Sequence, residues 1–160
     1  QDWSTFFEKY NQLIKDDKIL SDKQEIIKKK CEEINKNALQ CNDELKKLQL
    51  FEELVSLMPN NDQYLGNYAV ALYSASQFPK ALQYSNKCLN VNEFNRFGIL
   101  ICGLTKYEMQ YYHKAQELLV KAQQFFEKHE QQYKSCLVFL EKTKEFIEMG
   151  DYHKSKGNEY

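Results

Sequence analysis

The thirteen residues 77–89, QFPKALQYSNKCL, return in outline 34 residues later as YYHKAQELLVKAQ, residues 111–123. Phe78 matches Tyr112, Lys80 matches Lys114, Ala81 matches Ala115 and Lys87 matches Lys121, all at the same offset. The register holds upstream, where Leu65 matches Ile99, Ala69 matches Gly103 and Tyr73 matches Tyr107. A fixed period of this length constrains the fold severely. A unit of two short helices cannot bury its apolar face alone, so copies must stack on one another.

The units are helical. Five glycines and two prolines interrupt 160 residues, strand-like alternation is absent, and apolar residues recur at spacings of three and four. A first helix is expected to begin after Ser4 or Thr5, where Thr5 and Glu8 form a capping box, and to end at Asp16-Asp17. Its apolar stripe is Phe6, Phe7, Tyr10 and Ile14. Ser21 with Gln24 signals a second start, for a helix whose Ile27, Cys31, Ile34, Ala38 and Cys41 fall on one face. The next helix carries Leu45, Leu48, Phe51, Leu54 and Leu57 on one side and stops at Pro59 before the polar turn Asn60-Asn61-Asp62. Another runs to about Ser76, and Pro79 sits in the first turn of its successor, where a missing amide hydrogen costs nothing. Further helices are expected at about 95–109, 111–129 and 132–149, with Gly150-Asp151 as the last break. Short connections make consecutive helices antiparallel neighbours.

Counted from Asp62, residues Leu65, Ala69, Phe78, Ala81 and Cys88 fall at positions 4, 8, 17, 20 and 27 of a 34-residue unit. In the next unit, from Arg96, Ile99, Gly103, Tyr112, Ala115 and Ala122 take the same places. This pattern resembles the tetratricopeptide repeat, which has a large residue at the first of these positions, an aromatic at the third and small residues at the others. Lys106 at position 11 departs from it, with Tyr107 beside it as a substitute. The resemblance implies an all-α fold of antiparallel helix-turn-helix repeats stacked as a right-handed solenoid. It divides a single domain, 1–160, into an N-terminal helix (1–21), a degenerate first repeat (22–61), two full repeats (62–95 and 96–129) and a C-terminal helix pair or truncated repeat (130–160). At that end MGDYHKS, 149–155, is similar to the turn and second-helix start of a further repeat, after a six-residue slip that lengthens the preceding helix. Small side chains at Ala69, Ala81, Cys88, Gly103, Ala115 and Ala122 suit close helix crossings, because packed interiors have no spare volume.

Little in the chain points to chemistry. His113, His129 and His153 have no carboxylate or cysteine at metal-ligand spacing and read as surface residues, and no glycine-rich phosphate loop is present. No catalytic residue, cofactor site or metal site is expected. Cys31, Cys41, Cys88, Cys102 and Cys136 form no C-x-x-C pair and sit at apolar positions, as reduced, buried thiols do, which points to the cytoplasm or another reducing intracellular compartment. The residues after Gln1 show no charged-then-apolar signal. No apolar run approaches the roughly 20 residues of a membrane-spanning helix. The net charge is −1 and the basic side is lysine with the single arginine Arg96, which argues against a nucleic-acid partner.

What remains is surface. The resemblance implies a concave groove lined by the first helix of each unit, here Gln63, Gly66, Val70, Tyr73 and Ser74, then Phe97, Leu100, Leu104, Tyr107 and Glu108. The second set is apolar and suits a hydrophobic segment of a partner protein, an amphipathic helix or an extended peptide. Neighbouring helices, or the chain's own N-terminal helix through Trp3, Phe6, Phe7 and Tyr10, are alternative covers. The expectation is a non-catalytic protein-interaction module or scaffold subunit whose groove includes Asn67, Val70, Tyr73, Phe97, Leu100, Leu104 and Tyr107. Two alternatives stand beside it. Asn67 occupies position 6, where chaperone-binding members of the family place a carboxylate-clamp asparagine, but the remaining clamp positions hold Glu32, Lys36, Phe97 and Ile101. The other is a structural subunit of a larger multiprotein complex.

Overall fold

The computed structural model describes residues 3–157, with side chains through Tyr152. Seven helices fill the described residues: α1 Trp3–Gln40, α2 Glu44–Leu57, α3 Asp62–Ser74, α4 Phe78–Val91, α5 Arg96–Glu108, α6 Tyr112–Gln123 and α7 Gln131–Gly157. Each packs on the next, and α5 also lies against α3 and α7. Helices therefore pair into hairpins, and the hairpins stack with the first helix of each on one side, as an α-solenoid.

The 34-residue period extends to the backbone ends. Asn61 caps α3 by accepting from the Tyr64 amide at 3.0 Å, and Asn95 caps α5 by accepting from the Gly98 amide at 3.0 Å. Each satisfies an amide that the helix itself leaves without a partner. At the far ends Ser76 and Gln110 both take positive φ, 59° and 67°. Gln77 N then donates to Leu72 O at 2.9 Å and Tyr111 N to Lys106 O at 2.8 Å, closing two matching Schellman turns. Pro79 lies in the first turn of α4.

The small residues at the helix crossings, Ala69, Ala81, Cys88, Gly103, Ala115 and Ala122, are all buried. A Cβ built on Gly103 would lie 3.1 Å from Leu119 Cδ2 and 3.2 Å from Leu118 Cβ, so α5 and α6 cross too closely for a larger residue. Around these crossings Phe51, Leu54, Leu65, Tyr68, Leu72, Ile99 and Leu119 form one continuous core.

Both ends depart from expectation. No break occurs at Asp16-Asp17 or Ser21, because α1 is one helix of 38 residues. Every residue from 3 to 30 is exposed, and Cys31, Ile34 and Ala38 are the buried residues of α1. With no core to face, the acids and the serine stay on an open surface, where Asp16 accepts from Gln12 Nε2 at 2.9 Å, and impose no turn. On α2 the buried residues are Phe51, Leu54 and Val55, while Leu45 and Leu57 are exposed. The slip after Ala122 is taken up by the turn at 124–130 and not by a longer helix, since α6 ends at Gln123. Nor does Gly150 break the chain. Helix α7 continues through it to Gly157, so of the two expected forms of the C-terminal segment, a helix pair or a truncated repeat, the described residues do not form the pair.

Candidate functional site

The first turns of α3 and α5, with the Asn95 cap, also build one end of a cleft. Asp62, Gly66, Asn67, Asn95, Arg96 and Phe97 line a depression of about 400 Å³ between the N-terminal turns of the two helices. The Asp62 carboxylate accepts from Asn95 Nδ2 at 2.9 Å and from Asn92 Nδ2 at 3.1 Å. The Asn95 amide, first among the causes, holds this carboxyl below its ordinary range. Asn67 Nδ2 donates to Asn35 Oδ1 of α1 at 3.1 Å, which ties its amide to the preceding hairpin.

Arg96 is committed to the protein. Its guanidinium pairs with Glu130 at 3.2 Å and lies over the rings of Phe97 and Phe126, 5.2 and 4.9 Å from their centroids. Glu130 also accepts from the Glu127 amide at 2.6 Å, the first cause of its lowered pKa. The turn at 124–130 is thereby pinned to the start of α5.

Farther along, the groove is largely filled. Val70, Tyr73, Phe97 and Tyr107 are half-buried, whereas Leu100 is 5% and Leu104 6% exposed. Phe126 packs edge-on against Phe97 at 5.6 Å. Tyr107 meets Tyr112 at 5.7 Å, Phe139 at 5.0 Å and Phe146 at 6.1 Å. Tyr73 donates to Glu108 at 3.2 Å; burial, and then that carboxylate, push its phenol pKa upward. The cover thus comes from α7 and the 124–130 turn. The N-terminal rings do not contribute it, since Trp3 and Phe6 are 72% and 58% exposed.

The expected groove residues therefore share one face, Asn67, Val70 and Tyr73 on α3 and Phe97, Leu100, Leu104 and Tyr107 on α5, with the two leucines closed beneath it. Sequence reasoning missed Asn95, Arg96, Phe126, Glu130, Phe139 and Phe146. Asn95 was legible in principle, as it repeats Asn61 at the 34-residue offset. The aromatics beyond 123 were not, because they fall outside the period.

Of the clamp positions, Glu32 and Lys36 are exposed and Ile101 is buried. His113 and His129 are exposed, and the side chain of His153 lies outside the described residues. Burial raises the thiol pKa of Cys88 to about 12 and that of Cys136 to about 11. Among the described residues no three His, Cys, Asp or Glu side chains gather as a metal site, and no helix is long and apolar enough to cross a membrane.

No protein-family profile matches the chain. No curated protein sequence matches it either. Solved structures do. The Sgt2 TPR domain from Aspergillus fumigatus superposes with a TM-score of 0.63 at 24% identity, covering 79% of this chain and 82% of that one. The Arabidopsis OM64 TPR domain gives 0.56 at 22% identity, covering 74% and 93%. The first TPR of Spaghetti (RPAP3), solved with the HSP90 peptide SRMEEVD, gives 0.59 at 15% identity, covering 76% and 90%. With the period, the Schellman turns and the small-residue crossings already in place, these likenesses establish that the chain has the tetratricopeptide-repeat fold.

Proposed function

We propose that the chain is a non-catalytic protein-interaction module that holds an extended peptide segment along the face of α3 and α5. The observation that carries this reading is the juxtaposition of the Asn67 amide, fixed by Asn35 at 3.1 Å, with half-buried Val70 and Phe97. An amide offers both donor and acceptor to a peptide backbone, and the neighbouring apolar surface takes a side chain. An extended segment fits better than an amphipathic helix. A helix needs a broad apolar trough, and Leu100 and Leu104 are closed beneath the rim.

Selection from a random peptide library on the immobilised chain tests the reading. Peptides of micromolar affinity are expected, weakened about tenfold or more by Asn67→Ala and by Phe97→Ala, a loss of about 1.4 kcal/mol each. Circular dichroism should show unchanged helix content. Selected peptides indifferent to both substitutions would move the site elsewhere.

A chaperone-tail reading draws on the peptide bound to the RPAP3 domain. Buried Ile101 and exposed Glu32 oppose it, because one cannot reach a carboxylate and the other repels it. Titration with SRMEEVD at low salt, where charge pairing is least screened, is expected to show no binding. Micromolar affinity lost in Asn67→Ala would reverse this ranking.

A further inference from the structure

The exposed part of α1 carries a pattern that the repeats do not use. Cys31, Ile34 and Ala38, its buried residues, continue backward at alternating steps of four and three. The steps pass through Ile27, Gln24, Leu20, Asp17 and Leu13, then through the aromatics Tyr10, Phe6 and Trp3. This is a heptad seam along the whole helix, the signature of a helix that packs against another. The core takes its last turns and leaves residues 3–27 uncovered.

We propose that a second copy of this chain covers that stretch as an antiparallel two-helix coiled coil. Size and charge within the seam choose both the partner and the direction. Three aromatics and Leu13 occupy its first half, and aliphatic or polar residues its second. Antiparallel pairing centred near Lys15 sets Trp3 opposite Ile27, Phe6 opposite Gln24, Tyr10 opposite Leu20 and Leu13 opposite Asp17, so each large ring meets a smaller side chain. A parallel pair would oppose Trp3 to Trp3 and bury Asp17 against Asp17. The flank agrees, since Ile14 beside the seam faces its own copy when the helices are antiparallel and Lys9 when they are parallel.

The overlap spans about 36 Å of helix at 1.5 Å per residue. It ends one turn before Cys31, where the protein's own core takes over the seam. The exposed rings of Trp3, Phe6, Phe7 and Tyr10 with the aliphatics behind them supply area on the order of the roughly 800 Å² per partner of a stable interface. A lipid surface fits less well. Residues 3–30 intersperse acids among their lysines, and Asp17 lies within the apolar stripe.

Sedimentation equilibrium of the whole chain, from micromolar to about 100 µM, tests the proposal. A monomer–dimer equilibrium is expected, abolished by Leu20→Asp and tightened about tenfold or more by Asp17→Leu. Leu20 is exposed, so the solenoid should melt unchanged in the variant. Added salt should tighten the dimer, because Lys9 faces Lys23 along its open edge. Orientation is read by a spin label at Thr5→Cys with Cys41→Ser, expected about 30 Å from its copy, or 20 residues of helix rise. A monomer at every concentration overturns the proposal. So does a dimer indifferent to Leu20→Asp, a label separation under about 20 Å, or a chain that stays monomeric but sediments with phosphatidylcholine–phosphatidylserine vesicles.

Discussion

Cys88 lies under the first turn of α5. A Cβ built on Gly98 would stand 2.9 Å from its Sγ and 3.0 Å from Leu89 Cδ2. The thiol is buried and its pKa is raised to about 12, first by desolvation and then by the charge of Asp62, so it acts as filler and not as a nucleophile. Gly98→Ala is expected to destabilise by about 1–3 kcal/mol, overpacking outweighing the gain in helix propensity. Adding Cys88→Ala should recover part of that loss by making room. Urea denaturation of the single and double variants measures both effects. Equal midpoints for Gly98→Ala and the parent would mean that α5 can shift away from α4, contrary to the close packing at this crossing.

At the scale of elements, the αL turns at Ser76 and Gln110 join the two helices of each full repeat. A non-glycine residue is strained in that region, whereas glycine is not. Gln110→Gly is expected to stabilise by up to about 1 kcal/mol, visible as a raised thermal midpoint. A lowered midpoint would show that the glutamine side chain contributes something the turn geometry does not reveal. These middle elements were legible because each close crossing needs a small residue, and the two repeats place theirs at one offset. The ends were not legible. Asp16, Asp17 and Ser21 imitate helix boundaries, but on the exposed stretch of α1 they carry only a small propensity cost, and exposed Gly150 costs α7 only about 1 kcal/mol. The same limit applied to the groove. Repeat positions placed Phe97 and Tyr107 on its face, yet nothing in the period told that Phe126, Phe139 and Phe146 would return to pack on them.

Across the whole molecule, burial is uneven. Helix α5 is buried without interruption from 98 to 105, with α3, α4, α6 and α7 around it, whereas residues 3–30 face solvent throughout. A stacked array in which each layer touches only its neighbours opens from its ends. Native-state hydrogen exchange should therefore be slowest in α5, where amides exchange only on global unfolding, and fastest at the start of α1. Equal protection in α5 and α7 would contradict this gradient. Protection at the start of α1 should rise with protein concentration as the coiled coil forms. The unbroken length of α1 then becomes a ruler: in the antiparallel pair the two Cys31 positions stand about 48 Å apart along the rod. With one solenoid carried at each end of that rod, the pair would present two grooves and suit a bivalent ligand. A partner carrying two copies of the recognised segment on a linker of matching span would gain avidity of about 10²–10⁴ over a single copy, with no new contact in either groove.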